Sequence, residues 1–290
     1  MSKNEPDLAT APSAALRVPR GFSIAEYDKN STPGFDGGKK AGEALMAERG
    51  RDLADLQERL FAEGRAGGSR SVLLVLQGMD TAGKGGAVRH VLGMVDPQGV
   101  NHASFGAPSK EELSHHFLWR IDQKLPSAGR IGVFDRSHYE DVLVAKVRGF
   151  APPEEIETRY GEINDWEQRL IDHGTTIVKC TLLVSLDEQL NRLENRLDRP
   201  DKYWKYSLSD LDDRALWTDF RDAYETMFER TSTDAAPWHV IPADRKWFAR
   251  LAITELLCDA LEGLDLKWPK ASFDVDTERA RIAALRESGN

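Results

Sequence analysis

The feature that most constrains the fold is a short apolar run that leads directly into a glycine-rich loop. Residues 71–77 read SVLLVLQ, and GMDTAGKGG follows before the helical pattern AVRHVLGMV begins. This order of strand, G-x-x-x-x-G-K loop and helix is typical of a P-loop, in which backbone N–H groups surround a phosphate and a lysine neutralises it. The alternative is a glycine-rich turn with a surface lysine. The predicted phosphate-binding residues of the loop are Gly78, Ala82, Gly83, Lys84, Gly85 and Gly86.

The loop departs from the usual motif at one position, which bears on how it would hold a metal ion. The residue after the lysine is Gly85, whereas a P-loop usually has a Ser or Thr there whose hydroxyl binds magnesium. A hard divalent cation prefers carboxylate oxygens, so Asp80 inside the loop is the candidate ligand in place of that hydroxyl.

A second apolar run ends in an acid. Ile131–Asp135 reads IGVFD, which would place the Asp135 carboxylate at the carboxyl edge of the sheet, beside the loop. This is the Walker B role, and the alternative is an aspartate that caps the following turn. Arg136 comes next and is suited to stabilising charge on a transferring phosphoryl group, although it could equally be the ion-pair partner of a nearby acid.

The alternation of strand and helix patterns along the chain predicts an α/β fold of the P-loop kinase type, a parallel sheet flanked by helices. We interpret residues 1–38, which lack any sustained period, as an N-terminal arm or mobile lead-in, residues 39–270 as the P-loop phosphotransferase domain, and residues 271–290 as a C-terminal tail. The predicted strands are 71–77, 131–135, 176–184 and 238–242. The predicted helices are 39–63, 109–124, 138–148, 153–173, 186–198, 208–230 and 245–264.

A segment rich in basic residues, NRLENRLDRPDKYWKYS, follows the third predicted strand and its helix. In many P-loop phosphotransferases a lid at this place closes over the phosphates and excludes water, so we predict a helical lid over about residues 192–210. The alternative is a solvated helix end with mixed charges. The predicted phosphate-binding cations are Arg196, Arg199, Lys202 and Lys205 in the lid, and Arg89 and Arg120 elsewhere.

The overall charge limits the partners that the chain would attract. Its 48 Asp and Glu outnumber its 39 Lys and Arg, so bulk charge does not favour nucleic acid, and a polyanion would need a local basic cluster. No apolar run reaches membrane-spanning length, and the first twenty residues lack the continuous apolar stretch of a secretory signal. We therefore expect a cytoplasmic protein that binds neither nucleic acid nor membrane.

Several motifs taken together resemble the second family of polyphosphate kinases. They are GMDTAGKGG, VDPQGVNHASFGAPSKEEL, FLWR, GVFDRSHYEDVLVAKV and RLDRPDKYWKYS, spread over roughly residues 40–265. The resemblance implies a P-loop enzyme that uses Mg²⁺ to move a phosphoryl group between inorganic polyphosphate and a nucleotide, and a homo-oligomer. The implied nucleotides are AMP, ADP, GMP and GDP, because HYEDVL resembles the subgroup that phosphorylates nucleoside mono- and diphosphates.

The resemblance also implies roles for individual residues. Lys84 and the loop glycines would hold the transferred phosphate, Asp80 and Asp135 would hold Mg²⁺, and Arg136 with the lid cations would bind polyphosphate. Glu140 would contribute to nucleotide binding and to the choice between mono- and diphosphates, the alternative being a solvated acid at a helix start. Arg199 and Lys146 depart from the family pattern, which more often has an acid and an arginine at those positions.

Three other functions would share part of this sequence pattern. An ATP-dependent kinase of a small metabolite would share the loop and the lid but would not accept polyphosphate. A GTPase would carry an N/T-K-x-D motif that reads the base, and the sequence has none in a convincing context. A non-catalytic polyphosphate-binding module would need the basic residues but not Asp80 and Asp135 together.

Overall fold

The computed structural model of the chain describes residues 12–288, and its centre is a parallel sheet. The strands are β1 (Ser71–Gly78), β2 (Val100–Ser104), β3 (Ile131–Asp135), β4 (Thr175–Leu183) and β5 (Trp238–Pro242). They lie side by side in the order β2-β3-β1-β4-β5, and each neighbouring pair is parallel. All five carboxyl ends therefore meet at one edge, as the α/β prediction requires.

Helices cover both faces of the sheet. The α-helices are α1 (Pro12–Ala15), α2 (Lys39–Arg65), α3 (Lys84–Val91), α4 (Trp119–Asp122), α5 (Val144–Val147), α6 (Pro153–Asp172), α7 (Leu186–Leu197), α8 (Ser209–Ala215), α9 (Trp217–Thr231), α10 (Lys246–Glu262) and α11 (Val275–Glu287). The 3₁₀ turns are Leu92–Met94, Pro97–Gly99, Glu112–Ser114, His138–Asp141 and Pro200–Lys205.

The central strands are apolar on both faces because each face packs against helices. All eight residues of β1 are buried. Alternate residues of this strand enter different clusters: Leu74 packs in the cluster that includes α2 and α10, whereas Leu73 and Val75 pack in the one that includes α6 and α9. The two clusters hold the sheet rigidly, so its carboxyl edge is a fixed platform for a site.

The predicted elements differ from the structure in several places. The helix predicted over 138–148 was wrong, since the structure has the 3₁₀ turn His138–Asp141 and the short α5 there. Strand β2 was not predicted, because it is a partly exposed edge strand that reads VNHAS and has no continuous apolar run. The helix predicted over 109–124 was wrong: only Glu112–Ser114 and α4 are helical there. The helix predicted over 208–230 is divided at Leu216 into α8 and α9.

Residues 12–38 form an arm that packs on the domain rather than a lead-in free of it. The Val18 N–H donates to Trp238 O at 2.9 Å and the Val240 N–H donates to Leu16 O at 2.9 Å, which attaches the arm to β5. Phe35 is 1% exposed and packs edge-to-face on Trp247. The predicted arm also includes residues 1–11, which lie outside the described part of the chain.

The predicted tail contains a helix that the sequence pattern did not indicate. Helix α11 has no buried residue over its described length. Within residues 12–288, no helix is long and apolar enough to cross a membrane.

Candidate active site

The loop between β1 and α3 closes around its own lysine. Gly78 has a φ of 150°, and a Cβ there would lie 2.7 Å from the carbonyl oxygen of Leu182, so the close approach of β4 requires glycine. Gly83 has a φ of 109° and ends the loop at the start of α3. Thr81 has a φ of 66°, a strained conformation for a residue with a branched Cβ. The backbone is thus bent into the tight turn that the G-x-x-x-x-G-K pattern predicts.

Lys84 lies at the N-terminus of α3 and turns back into the loop. Its Nζ donates to the carbonyl oxygens of Gly78 and Met79. Burial lowers the pKa of Lys84, and the nearby Asp80 carboxylate opposes that shift. A desolvated ammonium group held by backbone carbonyls is arranged to exchange those contacts for phosphate oxygens.

Asp80 in the loop pairs with Arg136 after β3. Arg136 Nη2 donates to Asp80 Oδ1 at 2.9 Å. Burial alone would raise the pKa of Asp80, but the charges of Lys84 and Arg136 outweigh it and hold the pKa below its usual value. Arg136 has a φ of 63°, a left-handed conformation that is uncommon outside glycine and that clusters at functional sites. The strain turns this side chain from the end of β3 towards the loop.

Glu140 lies in the turn that follows Arg136. Burial raises the pKa of Glu140, and the charges of Arg136 and Lys84 act against that rise. Arg136 and Lys84 are the neighbours that we expect for an acid beside bound phosphates. An acid exposed at a helix start would not be expected to have them.

A cleft of about 890 Å³ opens above the loop and the carboxyl ends of the strands. It brings together most of the predicted site residues. Those that line it are Asp80, Ala82, Gly83, Lys84, Gly85, Gly86, Arg89, Asp135, Arg136, Arg196, Lys202 and Lys205.

Four predicted residues lie outside the lining of the cleft. Gly78 and Glu140 lie behind it, in the positions described above. Arg199 points away and pairs with Asp201 at 2.8 Å, with half of its side chain exposed. Arg120 is 6% exposed and donates to Gly106 O at 3.0 Å, so it lies behind the wall of the cleft.

Three cations of the cleft were absent from the predicted site. Lys246 and Arg250 reach it from α10, and the apolar pattern of that helix gave no sign of this. Arg192 on α7 donates to Thr81 O and Ala82 O, both at 2.9 Å, and its other terminal nitrogen donates to Ala243 O. Its Nε donates to Glu188 Oε1 at 2.7 Å and its terminal nitrogens donate to the backbone, so Arg192 braces the loop.

Two carboxylates of the cleft could hold a divalent cation. A Cβ at Gly85 would lie 3.9 Å from Asp135 Oδ2, so the position of the missing hydroxyl is beside that oxygen. Within residues 12–288 no group of three or more His, Cys, Asp or Glu is placed to hold a metal. Mg²⁺ commonly takes one or two carboxylates and completes its shell with water and substrate phosphates, which fits Asp80 and Asp135.

Comparisons with known proteins show which family the chain resembles. The family model described as "Polyphosphate kinase 2 (PPK2)" matches residues 37–268. A solved structure, polyphosphate kinase 2 from Arthrobacter aurescens TC1, is 56% identical with a TM-score of 0.94, covering 96% of this chain and 98% of that one. The AMP/ADP-polyphosphate phosphotransferase of Meiothermus ruber is 44% identical, covering 86% of this chain and 92% of that protein. The ADP-polyphosphate phosphotransferase of Rhodopseudomonas palustris is 41% identical, over 79% and 82% respectively.

Proposed function

Because the chain belongs to the polyphosphate kinase 2 family, we propose that it transfers a phosphoryl group between inorganic polyphosphate and nucleoside mono- or diphosphates, namely AMP, ADP, GMP and GDP. The observation that carries the proposal is the convergence of Lys84, Arg136 and two carboxylates in one cation-lined cleft. Phosphoryl transfer requires that the reacting groups are positioned and that the charge of the phosphates is neutralised. These side chains could supply both without a covalent nucleophile.

In the proposed reaction, a terminal oxygen of the acceptor phosphate attacks the end phosphorus of polyphosphate. A new P–O bond forms as the P–O bond to the rest of the polyphosphate chain breaks, and that chain leaves one phosphate shorter. Lys84 and the loop N–H groups would hold the transferred group, and the inward turn of Lys84 Nζ supports this role. Arg136, beside Asp80, would neutralise charge on the equatorial oxygens.

We propose Mg²⁺ as the cofactor, held by Asp80 and Asp135. When bound, the ion would neutralise phosphate oxygens and help to align the two substrates. Arg136 occupies Asp80 Oδ1, which leaves Asp80 Oδ2 and the Asp135 carboxylate for this role. Gly85 and Asp135 both line the cleft, which supports Asp135 as a ligand beside the position of the missing hydroxyl.

The polyphosphate chain would lie along the basic side of the cleft. Lys202 and Lys205 come from the lid, Arg89 from α3, and Lys246 and Arg250 from α10. Burial lowers the pKa of both Lys246 and Arg250, and the charges of nearby cations, Arg250 among them, add to the fall for Lys246. A polyanion would relieve their mutual repulsion, and this explains how an acidic chain could bind one.

Glu140 would act on the acceptor side. The charges of Arg136 and Lys84, which act on Glu140, support a role near the acceptor phosphates. We propose that it helps to set the preference between mono- and diphosphates.

The test is a turnover assay with Mg²⁺ and long-chain polyphosphate, with AMP, ADP, GMP and GDP offered separately and the products resolved by anion exchange. We expect ADP from AMP and ATP from ADP, with the corresponding guanine products. Products from diphosphates alone would overturn the role of Glu140. No product, with ATP consumed when small metabolites are offered instead, would favour the small-metabolite kinase.

We expect the enzyme to work in the cytoplasm as a homo-oligomer. Light scattering of the purified protein gives its mass in solution, and the mass of one chain, 32.5 kDa, would overturn the second expectation.

A further inference from the structure

One face of α7 donates hydrogen bonds to three consecutive carbonyl groups of the loop. Gln189 Nε2 donates to Asp80 O at 3.4 Å, and Arg192 Nη1 donates to Thr81 O and Ala82 O at 2.9 Å each. Gln189 and Arg192 are three residues apart, so they lie on the same face of the helix. The backbone of the loop is therefore held by α7 at each of these positions.

The other end of the Gln189 side chain is bound to α8, the helix at the end of the predicted lid. Arg214 Nη1 donates to Gln189 Oε1 at 2.9 Å and to Leu186 O at 2.9 Å. Gln189 is fully buried between these partners. Helix α8 is thus connected to the backbone of Asp80 through one side chain.

The two partners of Gln189 require an amide at this position. A guanidinium group only donates hydrogen bonds and a carbonyl oxygen only accepts them, so the side chain between them must accept at one end and donate at the other. These partners also fix the orientation of the amide, with Oε1 towards Arg214 and Nε2 towards Asp80. A glutamate carboxylate could not donate to Asp80 O, and a methionine could make neither bond.

Helix α8 also reaches the side chain of Asp80. Burial would raise the pKa of Asp80, and the charges of Lys84 and Arg136, followed by a hydrogen bond with Asp213 of α8, lower it. Arg148 pairs with Asp213 and balances its charge. Asp80 is therefore in contact with α8 at its side chain and, through the amide on α7, at its backbone.

We propose that Gln189 is a positioning residue that makes the placement of Asp80 depend on α8. This inference rests on the proposed function, in which Asp80 holds Mg²⁺. The backbone next to Asp80 is strained, since Thr81 has a φ of 66°, and such strain persists only where surrounding contacts hold it. A displacement of α8 would free the Gln189 amide from Arg214 and loosen this backbone, so the site is complete only with α8 in place.

Two substitutions test this link. Gln189→Met keeps the length of the side chain and removes both hydrogen bonds. Arg214→Met removes the contact from α8 at a half-buried position and leaves the Gln189 donor in place. Gln168→Met is the matched control, because Gln168 is an exposed glutamine on α6 that donates to Asp172 of the same helix. Melting temperatures establish that each variant is folded.

The readouts are kcat, the KM for polyphosphate, and amide hydrogen exchange in the loop of the protein free of metal and substrate. We expect Gln189→Met to lower kcat about 10–100-fold, the usual effect of removing a side chain that orients a metal ligand. The KM for polyphosphate should not change, because the cations that line the cleft are intact. Exchange at the loop amides should become several-fold faster, since the backbone is held less firmly.

The double variant tests whether α8 acts through Gln189. Arg214→Met should change kcat and loop exchange in the same direction as Gln189→Met. Combining the two substitutions should be no worse than Gln189→Met alone, because both remove one connection. Gln168→Met should change nothing.

The outcomes separate this inference from the proposed function. Unchanged kcat or unchanged loop exchange in folded Gln189→Met would overturn the inference, and so would additive losses in the double variant. If Gln189→Met does not fold, the criteria of kcat and loop exchange apply to Arg214→Met. Absence of turnover in the unsubstituted protein, with loop exchange faster in Gln189→Met and unchanged in Gln168→Met, would overturn the proposed function and leave the link from α8 to the loop in place.

Discussion

Lys179 on β4 and Glu167 on α6 form an ion pair inside the core, with Lys179 Nζ 2.6 Å from Glu167 Oε2. The other carboxylate oxygen accepts from the Tyr139 hydroxyl at 2.7 Å and lies 3.3 Å from His138 Nε2. The pair therefore anchors the turn that carries Arg136 and Glu140 to the site. A buried ion pair is arranged here to fix backbone geometry at the carboxyl edge of β3.

Removing one partner of this pair should cost more than removing both charges. Lys179→Met leaves Glu167 buried without its cation, and we expect a loss of about 3–5 kcal/mol in the free energy of unfolding. Adding Glu167→Gln removes the stranded charge and keeps an oxygen that can accept from Tyr139. Urea unfolding of the single and double variants measures this. A double variant less stable than Lys179→Met would contradict the account.

The loop lysine and the two carboxylates should be essential for transfer and dispensable for folding. Lys84→Ala, Asp80→Ala or Asp135→Ala should each lower kcat by at least about 10²–10³-fold, the effect of removing a preorganised charge at a transition state. The melting temperature should stay close to that of the unsubstituted protein. Near-normal turnover in any of the three would overturn its assigned role.

The P-loop, four of the five strands and the acid at the end of β3 could be predicted because each depends on local sequence. Each can be recognised from a few neighbouring residues: an apolar run, a glycine spacing or an aspartate at the end of a strand. The attachment of residues 12–38 to β5 could not be predicted, since an extended segment has no period. Nor could the role of Arg192, because its partners Ala82 and Ala243 are far from it in sequence.

The segment 109–124 shows how tertiary contacts override a helical pattern. Arg120 is buried against Gly106 and Asp141, and His115 stacks on Trp119 with ring centroids 4.1 Å apart. These contacts form the wall of a cavity, and a continuous helix would not follow the same path. Arg199 is a site residue that local sequence predicted wrongly. Its charge and its place in the lid predicted a phosphate contact, but it pairs with Asp201 and does not line the cleft.

The lid cations can be separated by position. Lys202 and Lys205 line the cleft, whereas Arg199 does not. We expect Lys202→Ala and Lys205→Ala to raise the KM for long polyphosphate several-fold and to weaken its dependence on salt, because fewer phosphate contacts remain. Arg199→Ala should leave both quantities unchanged. Steady-state kinetics at two salt concentrations compares the three, and an equal effect of Arg199→Ala would contradict this placement.

Arg192→Lys should weaken catalysis although no substrate contact is removed. Arg192 Nη1 donates to Thr81 O and Ala82 O at 2.9 Å each while Nη2 donates to Ala243 O, and a single lysine ammonium cannot span both groups of carbonyls. A loop shifted by about 1 Å can cost roughly 100-fold in rate, so we expect kcat to fall by about 10–100-fold. Lys246→Gln is the comparison, since it should act mainly on the KM for polyphosphate. Unchanged kcat in Arg192→Lys would remove the bracing role.

The buried His138 should make stability fall as the pH drops below 6.5. Burial lowers the pKa of His138 from 6.5, and the Glu167 carboxylate only partly opposes it. Between the lowered value and 6.5 the unfolded chain binds a proton that the folded chain does not, so stability is complete above this window and is lost as the pH falls through it.

One such proton contributes up to about 1.4 kcal/mol per pH unit. Urea unfolding at pH 7.5, 6.5 and 5.5 should show a steeper decline for the unsubstituted protein than for His138→Gln, which has no proton to take up. His239 is the matched comparison, because burial also lowers its pKa, and His239→Gln should reduce the slope in the same direction. Equal slopes in the unsubstituted protein and His138→Gln would contradict the lowered pKa of His138, and a shallower decline in the unsubstituted protein would mean that Glu167 holds His138 protonated in the fold.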